Sequence, residues 1–225
     1  MNLSILHLCL VTHIGKTPLP QYTNFLKKAI SGGVTCIQLR EKTRDYNELY
    51  VVAKTLQKFL RPLKIPLIIN DHIEIAKAVD ADGVHLGQND LSPYLARKIL
   101  GPDKIIGWSV ESLTDVVKAN NIDAIDYIGA SAIFPSKSKP NCKMIWGLEG
   151  LSKIVNITGH PIMAIGGINK NNIGSVINRG ASGAAVIGAI HDYPDALEAA
   201  KDLSLAIKIC MEDRDSATQN KVSLS

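Results

Sequence analysis

The amino-acid sequence predicts a single-domain α/β protein that folds as a (β/α)8 TIM barrel with eight parallel strands. Short apolar runs recur eight times along the chain, and amphipathic segments separate them. Apolar runs without polar alternation are typical of parallel strands buried on both faces. A chain of 225 residues also has the length of a compact barrel of this kind. A doubly wound open sheet is the alternative, but the chain lacks the glycine-rich dinucleotide fingerprint that would favour it.

The predicted strands are short and mostly apolar. Because the strands of a parallel barrel all run the same way, their C-terminal ends form one rim, where the active sites of such barrels lie. In chain order the predicted strands are Leu8–Val11, Val34–Leu39, Pro66–Ile69, Gly83–Leu86, Lys104–Trp108, Ala124–Gly129, Pro161–Ile165 and Gly183–Ile187.

The segments between the strands carry helix signals. Asp45 and Glu48 have the spacing of a capping box at the start of a helix. Ser92 and Pro93 predict the start of another helix, and Gly101 predicts its end. After the capping box, apolar residues recur at helical spacing, at Leu49, Ala53, Leu56 and Leu60.

The chain divides into a catalytic barrel over residues 1–210 and a C-terminal tail over residues 211–225. The tail is polar and has no periodic apolar face. Such a segment is expected to be frayed.

Composition excludes several classes of partner. The net charge of +4 is too small to indicate a nucleic-acid or membrane surface. The chain has no basic leader and no apolar run of about 18 residues, so a cytoplasmic protein is expected. Cys9 and Cys36 lie in apolar runs, where reduced, buried thiols are expected. The sequence leaves open whether the chain forms a homo-oligomer.

Two predicted strands that are neighbours in the chain are followed by aspartates. Asp71 follows Pro66–Ile69, and Asp90 follows Gly83–Leu86. In a parallel barrel both carboxylates come out at one rim, where they could hold Mg²⁺ together with phosphate oxygens. Either aspartate alone could instead cap the next helix. Two of them on neighbouring strand ends favour the metal site.

The same rim collects groups that bind phosphate. Arg40, Lys42 and Lys139 can neutralise several negative charges. The glycines at 166–167 and at 188 follow the seventh and eighth strands, where barrels commonly bind a phosphate through backbone N–H groups. Each of these residues alone has an ordinary structural explanation, but together they predict two anion subsites. His85 lies within a strand and is interpreted as a core histidine rather than a site residue.

From about residue 8 to residue 190, the sequence resembles the thiamine-phosphate synthase (thiamine-phosphate pyrophosphorylase) family. The resemblance rests on the order and spacing of several motifs, each of which is weak alone. These motifs are Gln38–Lys42, Asn70–Asp71, Gly83–Asp90, Gly107–Ser109, Tyr127–Gly129, Phe134–Lys139 and Ala164–Ile168.

The resemblance implies a transferase that joins 4-amino-2-methyl-5-hydroxymethylpyrimidine diphosphate to 4-methyl-5-(2-hydroxyethyl)thiazole phosphate by a dissociative substitution. Thiamine monophosphate and pyrophosphate would be the products, and Mg²⁺ the cofactor, held by Asp71 and Asp90. Arg40, Ser109 and Lys139 would be the catalytic residues. The pyrimidine diphosphate would contact Gln38, Leu39, Arg40, Glu41, Lys42, Asn70, Ser109 and Lys139. The thiazole phosphate would contact Ser136, Lys137, Ser138, Gly167, Ile187 and Gly188.

Several positions depart from the pattern of the family, among them Ser136, Ser138, Gly188, Ala130–Ser131 and Pro140. Ser136 and Ser138 stand where threonines are usual, so the hydroxyl is retained. Gly188 stands where a serine is usual, so the backbone N–H is retained and a hydroxyl is lost. These departures concern the thiazole phosphate subsite. The loop from Ser136 to Trp146 is the best candidate for a lid.

Other functions were weighed against the synthase. A thiazole tautomerase on the same barrel needs neither a metal nor a pyrophosphate subsite, so Asp71, Asp90 and Lys139 argue against it. An isomerase of amino-acid synthesis would need a positioned acid–base pair, which the sequence does not suggest. A non-catalytic phosphate-ligand binding protein would be expected to have lost a metal carboxylate or Lys139.

Overall fold

The eight strands form a closed, all-parallel barrel in the order of the chain. The computed structural model describes residues 3–136 and 144–222, and it confirms the predicted fold. The barrel closes where the first strand pairs with the last, with Leu8 opposite Ala184 and Leu10 opposite Val186. The strands are β1 (Leu8–Val11), β2 (Cys36–Leu39), β3 (Leu67–Asn70), β4 (Gly83–Leu86), β5 (Ile105–Val110), β6 (Tyr127–Ser131), β7 (Ile162–Ile165) and β8 (Gly183–Val186).

The helices lie between the strands, as the amphipathic segments predict. The capping box is present: the Asp45 side chain accepts a hydrogen bond from the Glu48 N–H at 2.9 Å, and Glu48 accepts one from the Asp45 N–H. No described helix is both long and apolar enough to cross a membrane. The helices are α1 (Leu19–Ser31), α2 (Tyr46–Leu60), α3 (Ile73–Ala78), α4 (Pro93–Leu100), α5 (Leu113–Ala119), α6 (Gly147–Ile157), α7 (Ile173–Asn178), α8 (Gly188–His191) and α9 (Ala196–Val222).

Side chains alternate between the two faces of the barrel wall, and they form two cores. The larger core lies between the wall and the helices and includes Leu8, Leu10, Ile37, Leu39, Leu67 and Ile69. The smaller core fills the inside of the barrel with Cys9, Val11, Cys36, Tyr127, Met163 and Ala185. Since both faces are packed, a one-residue slip of any strand would exchange the two sets of side chains.

A repeated hydrogen bond fixes the N-terminal end of the barrel. In each case a backbone N–H at or next to the start of an odd-numbered strand donates to the side chain just before the next even-numbered strand. The bonds run from Leu8 to Thr35 Oγ1 (3.0 Å), Leu67 to Asp82 Oδ2 (2.9 Å), Ile106 to Asp126 Oδ2 (2.8 Å) and Ile162 to Ser182 Oγ (3.2 Å).

The structure of the C-terminal segment differs from the predicted frayed tail. Residues 211–222 are not frayed but continue α9, so the boundary predicted at residue 210 falls within a helix. Met211 packs against the larger core. The Arg214 guanidinium donates to the carbonyls of Ile177 and Ala181, 3.3 and 3.2 Å away, at the C-terminal end of α7. An arginine that donates to the last carbonyls of a neighbouring helix can hold its own helix in place beyond the apolar face. Such a contact leaves no periodic apolar pattern, so the sequence did not reveal it.

Asp126→Ala should lower the free energy of unfolding by about 2–3 kcal/mol, because it leaves polar partners unsatisfied. The Asp126 carboxylate accepts from the Ile106 N–H and from the Arg97 guanidinium, each at 2.8 Å, and only 26% of its side chain is exposed. Urea unfolding measures the change. Asp123→Ala removes an exposed carboxylate from the same connection and is the control. Equal stability of the two variants would contradict the role given to Asp126.

Candidate active site

Two adjoining cavities open at the C-terminal rim of the barrel, and most of the predicted site residues line them. The first has a volume of about 370 Å³ and the second about 340 Å³. Among the predicted residues, the first is lined by Gln38, Arg40, Lys42, Asn70, Asp71, Asp90, Ser109, Ser136 and Ile187. The second is lined by Ser136, Gly167, Ile187 and Gly188. Ser136 and Ile187 are shared, so the cavities form one continuous site.

Two predicted pyrimidine contacts have their side chains elsewhere. Leu39 is 1% exposed and packs in the core between the barrel and the helices. The Glu41 carboxylate accepts hydrogen bonds from Thr12 Oγ1 at 2.8 Å and from the Ile14 N–H at 2.9 Å. Glu41 therefore fastens the loop after β1 to the loop after β2, and neither side chain lines the cavities. Lys137, Ser138 and Lys139 lie outside the described residues.

Asp71 and Asp90 approach each other in the first cavity. Burial, followed by the hydrogen bond to Asp90 and its charge, raises the pKa of Asp71 to about 6. The positive charges of Lys42 and Arg40 act in the opposite direction, so both cations also lie close to this carboxylate. The site thus holds two carboxylates, which repel each other, close to two cations, which attract them.

Neither aspartate caps a helix. The N-cap of α3 is His72, which makes no side-chain cap bond, and the N-cap of α4 is Ser92, which accepts from the Leu95 N–H. Asp90 instead accepts from the Gly87 N–H at 2.6 Å. The Asp71 side chain is left to face the cavity from a backbone with φ of 66°, a conformation that aspartate and asparagine adopt more readily than most residues.

His85 is a site residue that the sequence interpretation missed. Its Nδ1 lies 2.9 Å from the Tyr127 hydroxyl, and its Nε2 lies 2.9 Å from Ser109 Oγ. Gly107 on the neighbouring strand β5 and Gly129 on the next strand, β6, leave room for the imidazole. A Cβ atom would lie 2.5 Å from Nδ1 at Gly107 and 2.7 Å from Cε1 at Gly129. The two-residue alternation of β4, with Val84 and Leu86 in the outer core, was the signal that could have found it.

A polar floor therefore closes the bottom of the first cavity. Gln38 is 4% exposed and hydrogen-bonds the Tyr127 hydroxyl, which in turn bonds His85. Burial raises the pKa of Tyr127 well above its ordinary value, so its hydroxyl stays protonated. Gly166, predicted in the glycine turn after the seventh strand, also lines this cavity. Further lining residues that were not assigned to the site from the sequence are Gly87, Gln88, Asn89, Glu111, Ser131, Ala132 and Ile165.

The second cavity is shaped by glycine turns. Gly166 and Gly167 have φ of 101° and 62°, a region open to glycine. A Cβ atom at Gly167 would lie 2.5 Å from the carbonyl oxygen of Pro135 and 2.7 Å from the Cβ of Phe134. The loop after β6 is thus held directly against the turn after β7, which brings Ser136 to the junction of the two cavities.

A buried hydrogen-bond chain holds the turn after β8. His191 Nδ1 lies 2.9 Å from the Ile187 carbonyl oxygen, which only accepts, so Nδ1 carries the proton. The unprotonated Nε2 then accepts from the Tyr22 hydroxyl, 2.9 Å away. Burial is the largest cause that lowers the pKa of His191 below 6.5, with the charge of His13 acting in the same direction. The neutral imidazole ties α1 to the turn that contains Ile187.

Comparison with known proteins agrees with this geometry. Residues 8–190 match the family model described as thiamine monophosphate synthase. The chain belongs to the thiamine monophosphate synthase family. Among its relatives, the thiamine-phosphate synthase of Chlamydia caviae is 44% identical over 184 residues, 82% of this chain and 86% of that protein. That of Clostridium botulinum is 46% identical over 183 residues, 81% of this chain and 89% of that protein.

Solved structures give the same answer for the fold. The thiamine phosphate pyrophosphorylase of Pyrococcus furiosus is 36% identical, with a TM-score of 0.82, and the match covers 92% of this chain and 98% of that one. A 3-hexulose-6-phosphate synthase, 16% identical with a TM-score of 0.66 over 89% of this chain and 99% of that one, shares the fold alone. Membership of the thiamine monophosphate synthase family therefore rests on sequence and structure together, and it identifies the chain as a transferase.

His191→Gln should make stability less sensitive to acid. A histidine whose pKa is lowered by folding binds more protons when unfolded, so its stabilising contribution is present above pH 6.5 and is lost as the pH falls through the folded value. Unfolding in urea at pH 7.5, 6.0 and 5.0 measures the slope, which should be smaller in the variant. His72→Gln, at an exposed position, should leave it unchanged. An unchanged slope in His191→Gln would refute the assignment.

Proposed function

We propose that the protein is a thiamine-phosphate synthase, which joins 4-amino-2-methyl-5-hydroxymethylpyrimidine diphosphate to 4-methyl-5-(2-hydroxyethyl)thiazole phosphate. The products are thiamine monophosphate and pyrophosphate. The observation that carries this proposal is the continuous site, in which a cavity with two carboxylates and two cations adjoins a cavity built on glycine turns. Family membership supplies the identity of the two substrates.

The diphosphate binds at the charged end of the first cavity. Arg40 and Lys42 both line this cavity and both lower the pKa of Asp71, so they lie near the same point as the acidic pair. The planar guanidinium of Arg40 suits two phosphate oxygens at once, and Lys42 acts as a point charge. Lys139 remains a further predicted contact of the diphosphate, and Lys137 and Ser138 remain predicted contacts of the thiazole phosphate.

The acidic pair fits a magnesium ion. Burial and the nearby Asp90 both raise the pKa of Asp71, so the ionised pair is unfavourable by itself, and a divalent cation would stabilise it. No group of three or more His, Cys, Asp or Glu side chains among the described residues forms a closed protein cage. Mg²⁺ typically takes one or two carboxylates and completes its shell with water and phosphate. Asp71 and Asp90 would hold it, and it would act as a Lewis acid on the departing pyrophosphate.

The pyrimidine rests on the polar floor. Gln38, Asn70 and Ser109 offer donors and acceptors to ring nitrogens and the exocyclic amine, and all three line the first cavity. His85 holds Ser109 Oγ and the Tyr127 hydroxyl at 2.9 Å each, which fixes the hydrogen-bonding directions of the floor. A fixed floor keeps the reactive methylene carbon in line between the two phosphate subsites.

The reaction follows a dissociative path. The bond between the methylene carbon and the diphosphate oxygen breaks, and its electron pair leaves with pyrophosphate. The amino-substituted pyrimidine delocalises the resulting cation. The lone pair of the thiazole nitrogen then forms the new carbon–nitrogen bond, and that nitrogen carries no proton to remove. Arg40 and Lys42 stabilise the growing charge on the leaving group, so the site needs no strong general base.

The competing functions fit the site less well. A thiazole tautomerase would have no use for Arg40, Lys42 and the acidic pair, which together form the charged end of the first cavity. A binding protein without activity would have no reason to retain two carboxylates that repel each other. We also propose that the protein acts in the cytoplasm, where Cys9 and Cys36, both free and buried, remain reduced.

The synthase activity is tested directly with purified protein, the two phosphorylated precursors and Mg²⁺. We expect thiamine monophosphate and pyrophosphate in equal amounts, measured by chromatography and by a coupled pyrophosphate assay. Omitting either precursor is the control. Failure to form both products with the full mixture would refute the proposed function.

Asp71→Asn should lower turnover on the order of 100-fold and weaken Mg²⁺ binding, because one of two carboxylates is lost. Asparagine is preferred to alanine here, since it tolerates the left-handed backbone at this position. The metal-free variant should be at least as stable as the wild type, because the repulsion with Asp90 is removed. Asp123→Asn, at an exposed position away from the rim, is the control. Near-normal turnover of Asp71→Asn would refute the assigned role.

A further inference from the structure

A carboxylate occupies the space beside Gly188 in the second cavity. Asp192 and Gly188 both line this cavity. The Asp192 N–H donates to the Gly188 carbonyl oxygen at 2.9 Å, so the two residues lie one turn apart around α8. A Cβ atom built on Gly188 would lie only 2.5 Å from Asp192 Oδ2. The Asp192 carboxylate therefore occupies the space that a side chain at position 188 would need.

The charge of this cavity differs from that of its neighbour. Among the described residues, Asp192 is the one charged side chain that lines the second cavity, whereas Arg40 and Lys42 line the first. The other described residues of the second cavity offer backbone groups, a hydroxyl and an amide. Among the described residues, an anion there meets neutral donors and one negative charge.

We infer that Asp192 is a specificity-determining residue, whose carboxylate weakens the binding of the phosphate group of the thiazole and which Gly188 accommodates. The inference rests on the proposed function, because it takes the second cavity as the thiazole phosphate subsite. The side chain is exposed, so solvent screens its charge and the effect is moderate. The same carboxylate acts on the product, since the reaction leaves this phosphate untouched.

Asp192→Asn isolates the charge because it keeps nearly the same shape. We expect thiazole phosphate to bind about fivefold more tightly to the variant, as measured by calorimetry at low ionic strength. The unphosphorylated hydroxyethylthiazole should bind equally to both proteins, because it carries no charge for Asp192 to repel. Asp123→Asn makes the same chemical change at an exposed position outside the site and should alter neither affinity.

Gly188→Ser tests the shared space. In the wild-type background, the new Cβ atom collides with the Asp192 carboxylate, and the affinity for thiazole phosphate should fall. In the Asp192→Ala background, the same substitution meets no carboxylate and should cost less or improve the affinity. The thermal midpoint of each variant shows whether the fold is intact.

Calorimetry keeps this inference separate from the proposed function. Tighter binding of thiazole phosphate to Asp192→Asn, with no product formed by the wild type, would support the role of Asp192 and refute the synthase activity. Equal affinities of Asp192→Asn and wild type for thiazole phosphate would overturn the inference whatever the turnover. Equal effects of Gly188→Ser in both backgrounds would also overturn it, because they would mean that the two residues do not share the space.

Discussion

The register of the closed barrel decides which side chains face its interior, and the whole site depends on it. His85 faces inward because it pairs with Gly107 on one side and with Asn70 on the other. A shift of one residue would place Val84 and Leu86 inside and turn the imidazole towards the helices. The repeated hydrogen bonds at the N-terminal end oppose such a shift from the end of the barrel farthest from the substrates. The hydrogen bonds that fix the register thus lie at the N-terminal ends of the strands, and the site lies at their C-terminal ends.

Repulsion between carboxylates at the rim lowers the free energy of unfolding, as is usual for a preorganised site. Asp71 adopts a left-handed backbone, and burial, followed by the nearby Asp90, raises its pKa to about 6. Arg40 and Lys42 oppose the rise in the pKa of Asp71 only in part. In the proposed function, a cation and a diphosphate would complete this arrangement of charges.

Sequence predicted the fold well because its signal is repetitive. Each strand is a short apolar run, and β1 and β4 have the bounds predicted for them. Strand ends shifted by one to three residues elsewhere, as at β6, where pairing with β5 and β7 rather than local composition sets the limits. Family motifs identified most of the cavity residues. They also included Glu41, whose carboxylate bonds the loop after β1 and does not line the cavities. His85 was missed because its environment is built by glycines on other strands. The predicted boundary at residue 210 falls within α9, because Arg214 docks through carbonyls rather than through an apolar stripe.

In the proposed function, the two cavities hold groups with different roles in the reaction, and the charges of their described lining residues follow that difference. Negative charge grows on the departing pyrophosphate as the transition state is reached, so cations in the first cavity stabilise the transition state more than the bound substrate. The phosphate of the thiazole carries the same charge before, during and after the reaction. Tighter binding of that group would stabilise substrate, transition state and product alike, and uniform binding does not raise kcat. With the proposed subsites, the described residues place cations near the leaving group and a carboxylate near the spectator phosphate, where affinity contributes least to turnover.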